Sequence, residues 1–439
     1  MKMTFEPGPP DLAFHQPAAI AARIARLLRA QVTYAAAHAK FYRRRLDDGG
    51  LDPAAVSTPE ALARLPLTTK ADLENAEDDF LCVPRANLVD LCLTSGTTGT
   101  PVAMWQTAGD LERLAYNEAT AFAAAGFTAA DRVVVACAMG RCFMAGLAYF
   151  LGLKRLGALA IRTGTDSLTF LCETIRREDP TAIVGVPSML LTVAARLRQA
   201  GFDPAGSNVS RLMCIGEPVR GQDLQLSALG QRLADAWQAE VFGTYASTEM
   251  ATAFADCACG AGGHLLPDLV VVEVVDDDGR PLPAGEPGQV VVTPLQVAGM
   301  PLLRFATGDI AVVHDAPCAC GRQTPRLGPV IGRRQQMLKY HGTTIYPPAV
   351  FSALQELADV DGYYLEAHRD FDLSDRIRVV CGVAAPGENT AHDIREHLAA
   401  SIRVRPEVVI DTPEAVRAKT VRAERRKPIR FFDHRESES

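Results

Sequence analysis

The sequence predicts an α/β fold: a large N-terminal α/β domain with mainly parallel sheets, a β-rich subdomain, and a small mobile α+β C-terminal domain. Three observations carry this expectation. The 439 residues exceed what one ordinary core serves, so two domains are expected, with a third admitted. Beyond residue 100, short apolar runs alternate with segments of helical period, the pattern of a largely parallel sheet. Near Asp268 the alternation stops, and Asp277-Asp278-Gly279-Arg280 stands between two strand-like runs as a hairpin turn. The expected division is 1–332 for the N-terminal domain, with its β-rich part at about 257–330, and 333–439 for the C-terminal domain.

The elements follow in order. Residues 17–46 have helical periodicity, with Ile20, Ile24, Leu27 and Leu28 on one side and arginines on the other. Residues 51–53 form a turn, and 88–93 read as a buried strand. Helix is expected at 110–125 and 143–156, and strand at 132–137, 182–186 and 211–215. The β-rich part opens with a strand at 269–275 and returns through 289–293. The last unit begins after Gly332-Arg333, with a strand at 377–383 and a helix at 393–402. No internal repeat or low-complexity tract interrupts the pattern, and the charged end 435–439 is expected to fray.

Composition excludes several classes. Hydrophobic content of 48% and charged content of 22% are those of a soluble globular protein. A net charge of −7 argues against a nucleic-acid or anionic-membrane surface. Residues 1–10 lack the pattern of a signal peptide, and no apolar run is long enough to span a bilayer, so a cytoplasmic protein is expected. Of the eleven cysteines, Cys82, Cys92, Cys137, Cys142, Cys172, Cys214 and Cys381 sit singly among apolar neighbours, as small core residues do in a reducing compartment. The other four form two Cys-Ala-Cys pairs, Cys257/Cys259 and Cys318/Cys320.

The most informative segment runs from Leu93 to Pro101. Thr94, Ser95, Thr97 and Thr98 surround Gly96 and Gly99. Glycines let backbone N–H groups approach phosphate oxygens, and hydroxyls add neutral donors. No Gly-Lys-Ser/Thr closes the loop, so it is not a Walker loop. Alone, such a stretch serves equally well as a surface turn.

It does not stand alone. The loop resembles the phosphate loop of the adenylate-forming enzymes, and further segments in order resemble their phenylacetate–coenzyme A ligase branch. These are Leu65-Pro66-Leu67-Thr68-Thr69-Lys70-Ala71-Asp72-Leu73, Gly216-Glu217-Pro218, Tyr245-Ala246-Ser247-Thr248-Glu249, Pro301 through Asp309, Gly332-Arg333 and the terminal Lys427-Pro428-Ile429-Arg430. The resemblance implies ATP-dependent activation of a carboxylic acid, aromatic or arylacetic, to an acyl-adenylate, then transfer to coenzyme A. It implies that Thr94, Ser95, Gly96, Thr97, Thr98 and Gly99 cradle phosphates. It implies that Gly216, Glu217, Pro218, Tyr245, Ala246, Ser247 and Thr248 border the nucleotide, and that Asp309 and Arg333 meet the ribose. Glu249 is the implied magnesium ligand, Lys427 the implied catalytic cation, and Gln335 the hinge.

Each role has its chemistry and its plainer alternative. Tyr245 offers a flat face for adenine, or is a core tyrosine. Glu249 suits a hard cation, or simply opens a helix. Asp309 can accept from both ribose hydroxyls, or is a turn aspartate. An ammonium ion at Lys427 stabilises charge on phosphate and attacking carboxylate, or belongs to a solvated basic run; a shift of register nominates Lys419 instead. Cys257, His264, Cys318 and Cys320 match the structural zinc of this branch, with Cys259 an extra candidate, against a reading as reduced buried cysteines.

The chain departs from the branch at Thr100, Val102, Ala246, Gln335-Gln336 and Arg425-Arg426. The expected pocket wall includes residues 139–144, with Arg141 available to a polar acid. Expected partners are the acid and coenzyme A, with a carrier-protein thiol or an amine as alternative acceptors and a homodimer admitted. The rival of another class is a non-catalytic, zinc-stapled nucleotide- or partner-binding protein.

Overall fold

A computed structural model describes residues 2–94, 101–340, 343–371, 374–421 and 428–435, without the side chains of 370 and 371. Two compact units emerge, 1–307 with 311–329, and 308–310 with 330–439.

The N-terminal unit opens with α1 (Pro17–His38) and α2 (Lys40–Asp48), not with one helix. The break falls at Ala39, which is extended (φ −89°, ψ 119°). It turns Phe41 and Tyr42 inward, where both rings pack on Phe80 and the Tyr42 hydroxyl accepts from Leu303 N at 2.8 Å. Helical periodicity runs through such a break because both pieces bury the same side. Short helices α3 (Pro59–Leu62) and α4 (Lys70–Ala76) follow, α4 closed by a Thr69/Asp72 capping box.

Strands β1 (Leu88–Leu93) and β2 (Ala103–Thr107) form an antiparallel ribbon of their own. The expectation of a buried strand at 88–93 is therefore half right. The strand forms, but within it only Cys92 is buried and Val89 is 57% exposed, because a two-stranded ribbon lacks the second neighbour that covers a sheet strand.

The main sheet is built from α5 (Ala108–Ala124), β3 (Arg132–Ala136), α6 (Met144–Leu156), β4 (Leu159–Arg162), α7 (Leu168–Glu178), β5 (Ala182–Gly185), α8 (Pro187–Gln199), β6 (Arg211–Ile215), α9 (Ala228–Trp237), β7 (Glu240–Ser247) and β8 (Thr252–Ala255). Its strand order is β4-β3-β5-β6-β7-β8, parallel except for β8. Val133, Val134, Val135, Ile183, Val184 and Leu212 are fully buried, so the continuous apolar runs reflect a sheet covered on both faces.

The β-rich part holds β9 (Gly263–His264), β10 (Val270–Val275), β11 (Pro287–Pro294), β12 (Phe305–His314) and β13 (Arg326–Leu327). The expected hairpin turn is present, since Asp276 Oδ1 accepts from the backbone N–H groups of Asp278 and Arg280. Buried Arg304 is paired with Glu273 at 2.9 Å and donates to the carbonyls of Ala63, Leu65 and Gly279, pinning this part to the N-terminal segment.

In the C-terminal unit, β14 (Gly332–Arg333) pairs with Asp309 and Ile310. A two-stranded ribbon, β15 (Leu338–Tyr340) and β16 (Thr343–Ile345), leads into α10 (Pro347–Gln355), β17 (Tyr363–Phe371), β18 (Ser374–Gly382), α11 (Thr390–Ile402), β19 (Glu407–Asp411), α12 (Pro413–Thr420) and β20 (Phe431–Asp433). The sheet order is β19-β18-β17-β20 over a core of Leu354, Leu365, Val379, Cys381 and Leu398. Among the described residues no helix is long and apolar enough to cross a membrane.

Candidate active site and metal nest

Four parallel strands end along one edge of the main sheet. Beyond β3 lie residues 137–143, beyond β5 lies Val186-Pro187-Ser188, beyond β6 lies Gly216-Glu217-Pro218, and the end of β7 carries Tyr245. The order reverses between β3, whose crossover leads outward to β4, and β5, which returns on the other side of β3. Ligands of open α/β sheets bind outside the carboxyl ends of strands at such a switch point.

The register brings two predicted segments together. Ile215 pairs with Thr244, so Gly216 leaves β6 beside Tyr245, which stays in β7 and pairs with Phe254 of β8. Gly216 has φ +76°, a left-handed conformation that glycine adopts without strain and that turns the backbone sharply after β6. Tyr245 is half-buried and lies 6.1 Å from Phe254, nearly parallel to it. Ala246 is exposed beside it, and Ser247 Oγ accepts from Met250 N at 3.3 Å, shaping the turn that carries Thr248 and Glu249.

Glu217 is held by a residue that sequence reasoning missed. Its two oxygens accept from Ser188 N at 2.9 Å and Ser188 Oγ at 3.0 Å. Ser188 lies in the first turn of α8, so a carboxylate rests on a helix N-terminus, where unsatisfied N–H groups favour negative charge. Glu217 thereby anchors the 216–218 turn. The signal in sequence was Pro187-Ser188 directly after an apolar strand, a helix start with no stated partner.

Glu249 and Thr248 line a narrow cleft with Met104, Trp105, Gln106 and Arg113. Arg113 is buried; its Nε donates to Leu295 O at 2.7 Å, and its Nη atoms donate to Ala251 O, Leu269 O and Thr252 Oγ1. It holds the reversal after Glu249, where Ala251 takes φ +47°. Thr94 closes the neck of the phosphate-loop candidate: its N donates to Val102 O and its Oγ1 accepts from Val102 N, each at 3.0 Å. Ser95, Gly96, Thr97, Thr98 and Gly99 lie outside the described residues, as does Lys427.

In the C-terminal unit, Asp309 and Arg333 face each other across β12 and β14, with Nε 3.3 Å from Oδ1. Gln335 is exposed in a short turn at Arg334–Gln336. Lys419, the alternative to Lys427, ends α12 with its Nζ 5.1 Å from the Phe432 ring centroid.

The second polar gathering is the cysteine cluster. The ligand atoms of Cys257, His264, Cys318 and Cys320 all lie within 4.8 Å of one another. Cys257 Sγ is 3.8 Å from Cys318 Sγ, and Cys320 Sγ is 3.4 Å from His264 Nε2. Thiolates bound tetrahedrally at about 2.3 Å stand about 3.8 Å apart, so the set fits zinc. His264 Nδ1 lies 3.1 Å from Thr324 Oγ1, the partner that fixes which ring nitrogen faces the cluster. Burial, with Arg322 and Arg326 adding to it, pushes His264 down to about 4, which keeps the imidazole neutral at pH 7. Burial pushes Cys257 up to about 12. Burial also works against the Cys320 thiolate, yet hydrogen bonds from Arg322, Cys318 and Cys257 bring its pKa below the usual thiol value. Cys259 is exposed and outside the cluster. Two of the seven single cysteines differ from the core expectation: Cys142 is exposed, on the tight turn 140–143 where its own φ is +53°, and Cys172 is half-buried on α7. Apolar neighbours in sequence do not tell which way a loop or helix residue faces.

The sequence profile of the AMP-binding enzymes matches residues 19–300. The phenylacetate–coenzyme A ligase of Thermus thermophilus is 30% identical over 86% of this chain and 88% of its own length. The chain belongs to the AMP-binding enzyme family. Within that family it falls in the phenylacetate–coenzyme A ligase-like branch and is an AMP-forming acid–thiol ligase. The phenylacetate–coenzyme A ligase of Escherichia coli is 28% identical over 75% of this chain and 74% of its own length. For the AMP-binding fold itself, a 2-hydroxyisobutyryl-CoA ligase solved in the postadenylation state superposes with a TM-score of 0.85, at 23% identity, over 100% of this chain and 95% of the other.

Proposed function

We propose that the acid is aromatic or arylacetic and that the acceptor thiol is coenzyme A. The observation that carries this is the similarity to phenylacetate–coenzyme A ligases over most of both chains. The apolar character of Met139, Phe143 and Met144 beyond β3 supports an apolar acid.

In the first step the substrate carboxylate attacks the α-phosphorus of ATP and pyrophosphate leaves; in the second a thiol sulfur attacks the acyl carbon and AMP leaves. Both steps concentrate negative charge, so positioning and electrostatics carry the catalysis. Ser95, Gly96, Thr97, Thr98 and Gly99, with Thr94 at the neck, receive the phosphates. Gly216, Pro218, Tyr245 and Ala246 border adenine, Glu217 holding their turn. Asp309 and Arg333 meet the ribose. Lys427 meets the α-phosphate. Magnesium at Glu249 would offset phosphate charge. Zinc held by Cys257, His264, Cys318 and Cys320 would fill a four-ligand shell without an open position, a structural role. Residues 333–439 act as the mobile domain, pivoting at Gln335, and the protein works in the cytoplasm.

ATP–pyrophosphate exchange with aryl, arylacetic, fatty and amino acids tests the reading. Exchange should be strongest with an aryl or arylacetic acid, and thioester should accumulate with coenzyme A. Exchange confined to fatty or amino acids overturns the acid. Product formed only with a carrier protein or an amine overturns the acceptor. No exchange with any of these acids overturns the proposed acid class.

A further inference from the structure

A single carboxylate, that of Asp256, ties the metal nest to the nucleotide turn. Asp256 is 3% exposed and directly precedes Cys257. Its Oδ1 accepts from Gly262 N at 3.1 Å, two residues before His264. Its Oδ2 accepts from Gly243 N at 2.8 Å and from Arg220 Nε at 2.6 Å. Gly243 lies on β7 two residues before Tyr245, and Arg220 lies two residues after Pro218. The backbone adds a further link, Asp256 N to Gly243 O at 3.0 Å. Arg220 spans the gap, with Nη1 donating to Leu224 O and Nη2 to Val241 O, each at 3.1 Å.

The segment between the two metal ligands, 258–263, contains Gly260, Gly262 and Gly263, and Gly260 and Gly262 take positive φ. Glycine-rich chain has the largest freedom to lose on ordering. Metal ligation at Cys257 and His264 fixes both ends of this segment and so fixes Gly262 N against Asp256. With Arg220 still neutralising its charge, a buried carboxylate that loses the Gly262 donor is left with an unsatisfied oxygen and rearranges toward its other donors. The remaining donors of Asp256 belong to the strand and turn that lead to Tyr245 and Gly216.

We infer that Asp256 is a positioning residue that couples metal occupancy to ATP affinity. This rests on the zinc and adenine assignments above. Linkage makes the coupling reciprocal: if the metal tightens ATP, ATP tightens the metal by the same factor.

The test uses the full chain and ATP without acid, so that no turnover intervenes. Zinc content is measured by elemental analysis, ATP Kd by calorimetry before and after chelation, and zinc affinity by chelator competition with and without ATP. In the wild type, removing zinc should weaken ATP on the order of tenfold, and ATP should tighten zinc by the same factor. Asp256→Asn replaces one acceptor oxygen by an amide nitrogen and should bring that factor close to one. Should Asp256→Asn fail to fold, Arg220→Lys, which keeps the charge and loses the fork, should give an intermediate factor. Zinc bound with ATP affinity indifferent to it overturns the coupling alone. An undiminished factor in Asp256→Asn, or in Arg220→Lys where that stands in, overturns the role of Asp256. Absence of zinc from the purified chain sinks the metal assignment and the coupling together. Zinc present without ATP binding sinks the adenine assignment.

Discussion

The N-terminal unit gathers polar groups in two places that are built in opposite ways. The metal nest closes on itself, with four ligand atoms within 4.8 Å and ring, hydroxyl and arginine partners packed around them. The strand-end edge is built from turns that present backbone and a half-buried tyrosine, and there Glu217 is bound to a helix N-terminus. A closed set of ligands earns stability from whatever fills it. An open edge of backbone groups leaves its binding capacity for a substrate. The same kind of substitution should therefore appear in the first region as lost stability with kcat at saturating ATP kept, ATP affinity changing only through the metal, and in the second as lost rate or affinity with the fold kept.

The largest expected effect tests the open edge. Segments 137–143, 186–188, 216–218 and 244–249 contain Arg141 as their one basic residue, so most of the charge stabilisation has to come from elsewhere in the chain. Lys427→Ala should slow ATP–pyrophosphate exchange by a factor on the order of a thousand, corresponding to roughly 3–5 kcal/mol. Thioester formation from supplied acyl-adenylate should survive far better. Exchange at the wild-type rate would transfer the role to Lys419.

Next comes the closed nest. Cys318→Ser should lose the metal and destabilise the fold by roughly 4 kcal/mol, a fall in Tm of about 5 °C. The kcat of the surviving folded fraction, read at saturating ATP, should stay within about twofold of wild type. A variant of unchanged Tm would return these cysteines to an ordinary core. A collapse of kcat at unchanged Tm would reverse the contrast between the two regions.

A third prediction lies beneath the open edge. Glu118 on α5 is buried against α6, where a Cβ at Gly152 would stand 2.3 Å from the Glu118 Cβ. Burial pushes its carboxyl up to about 8, eased by a hydrogen bond from Asn117. A folded pKa above the unfolded one means that stability is fully present below about 4.5 and is lost as pH rises toward about 8. Glu118→Gln removes that loss, so its stability advantage over wild type, read from Tm, should grow by roughly 3 kcal/mol from pH 5 to pH 8. A pH-independent difference would mean that Glu118 is ionised in the folded protein.

The smallest effect sharpens the contrast most. Ser188→Ala removes one of the two bonds to Glu217 and leaves the backbone one, a change of about 1 kcal/mol. It should raise the KM for ATP about fivefold with little change in Tm. A lower Tm at unchanged KM would make the Glu217 anchor a fold element of the same kind as the nest.

These tests also mark what could be read in advance. The alternation of strands and helices was legible because a sheet covered on both faces requires unbroken apolar strands, as at 132–137 and 211–215. The tight turn at 276–280 was legible because Asp and Gly serve a local conformational need. The exposure of β1 was not, since an apolar run reads the same in a ribbon and in a sheet. Nor was the break at Ala39, since α1 and α2 share one periodicity.

The sequence by itself determined the family, the order of the segments that resemble its nucleotide site, and the metal-ligand candidates Cys257, Cys259, His264, Cys318 and Cys320, because these rest on residue type and motif order; the structure then set Cys259 outside the cluster. The tertiary structure alone decided which side chains hold those segments in place. Asp256 reads as any aspartate before a cysteine, Ser188 as any helix start, and Arg113 as one more arginine on a helix. Their hydrogen bonds span 13 and 36 residues for Asp256, 29 for Ser188 and up to 182 for Arg113. A donor's chemistry is written in its residue type, but its partner is chosen by the packing that brings distant segments within hydrogen-bonding reach.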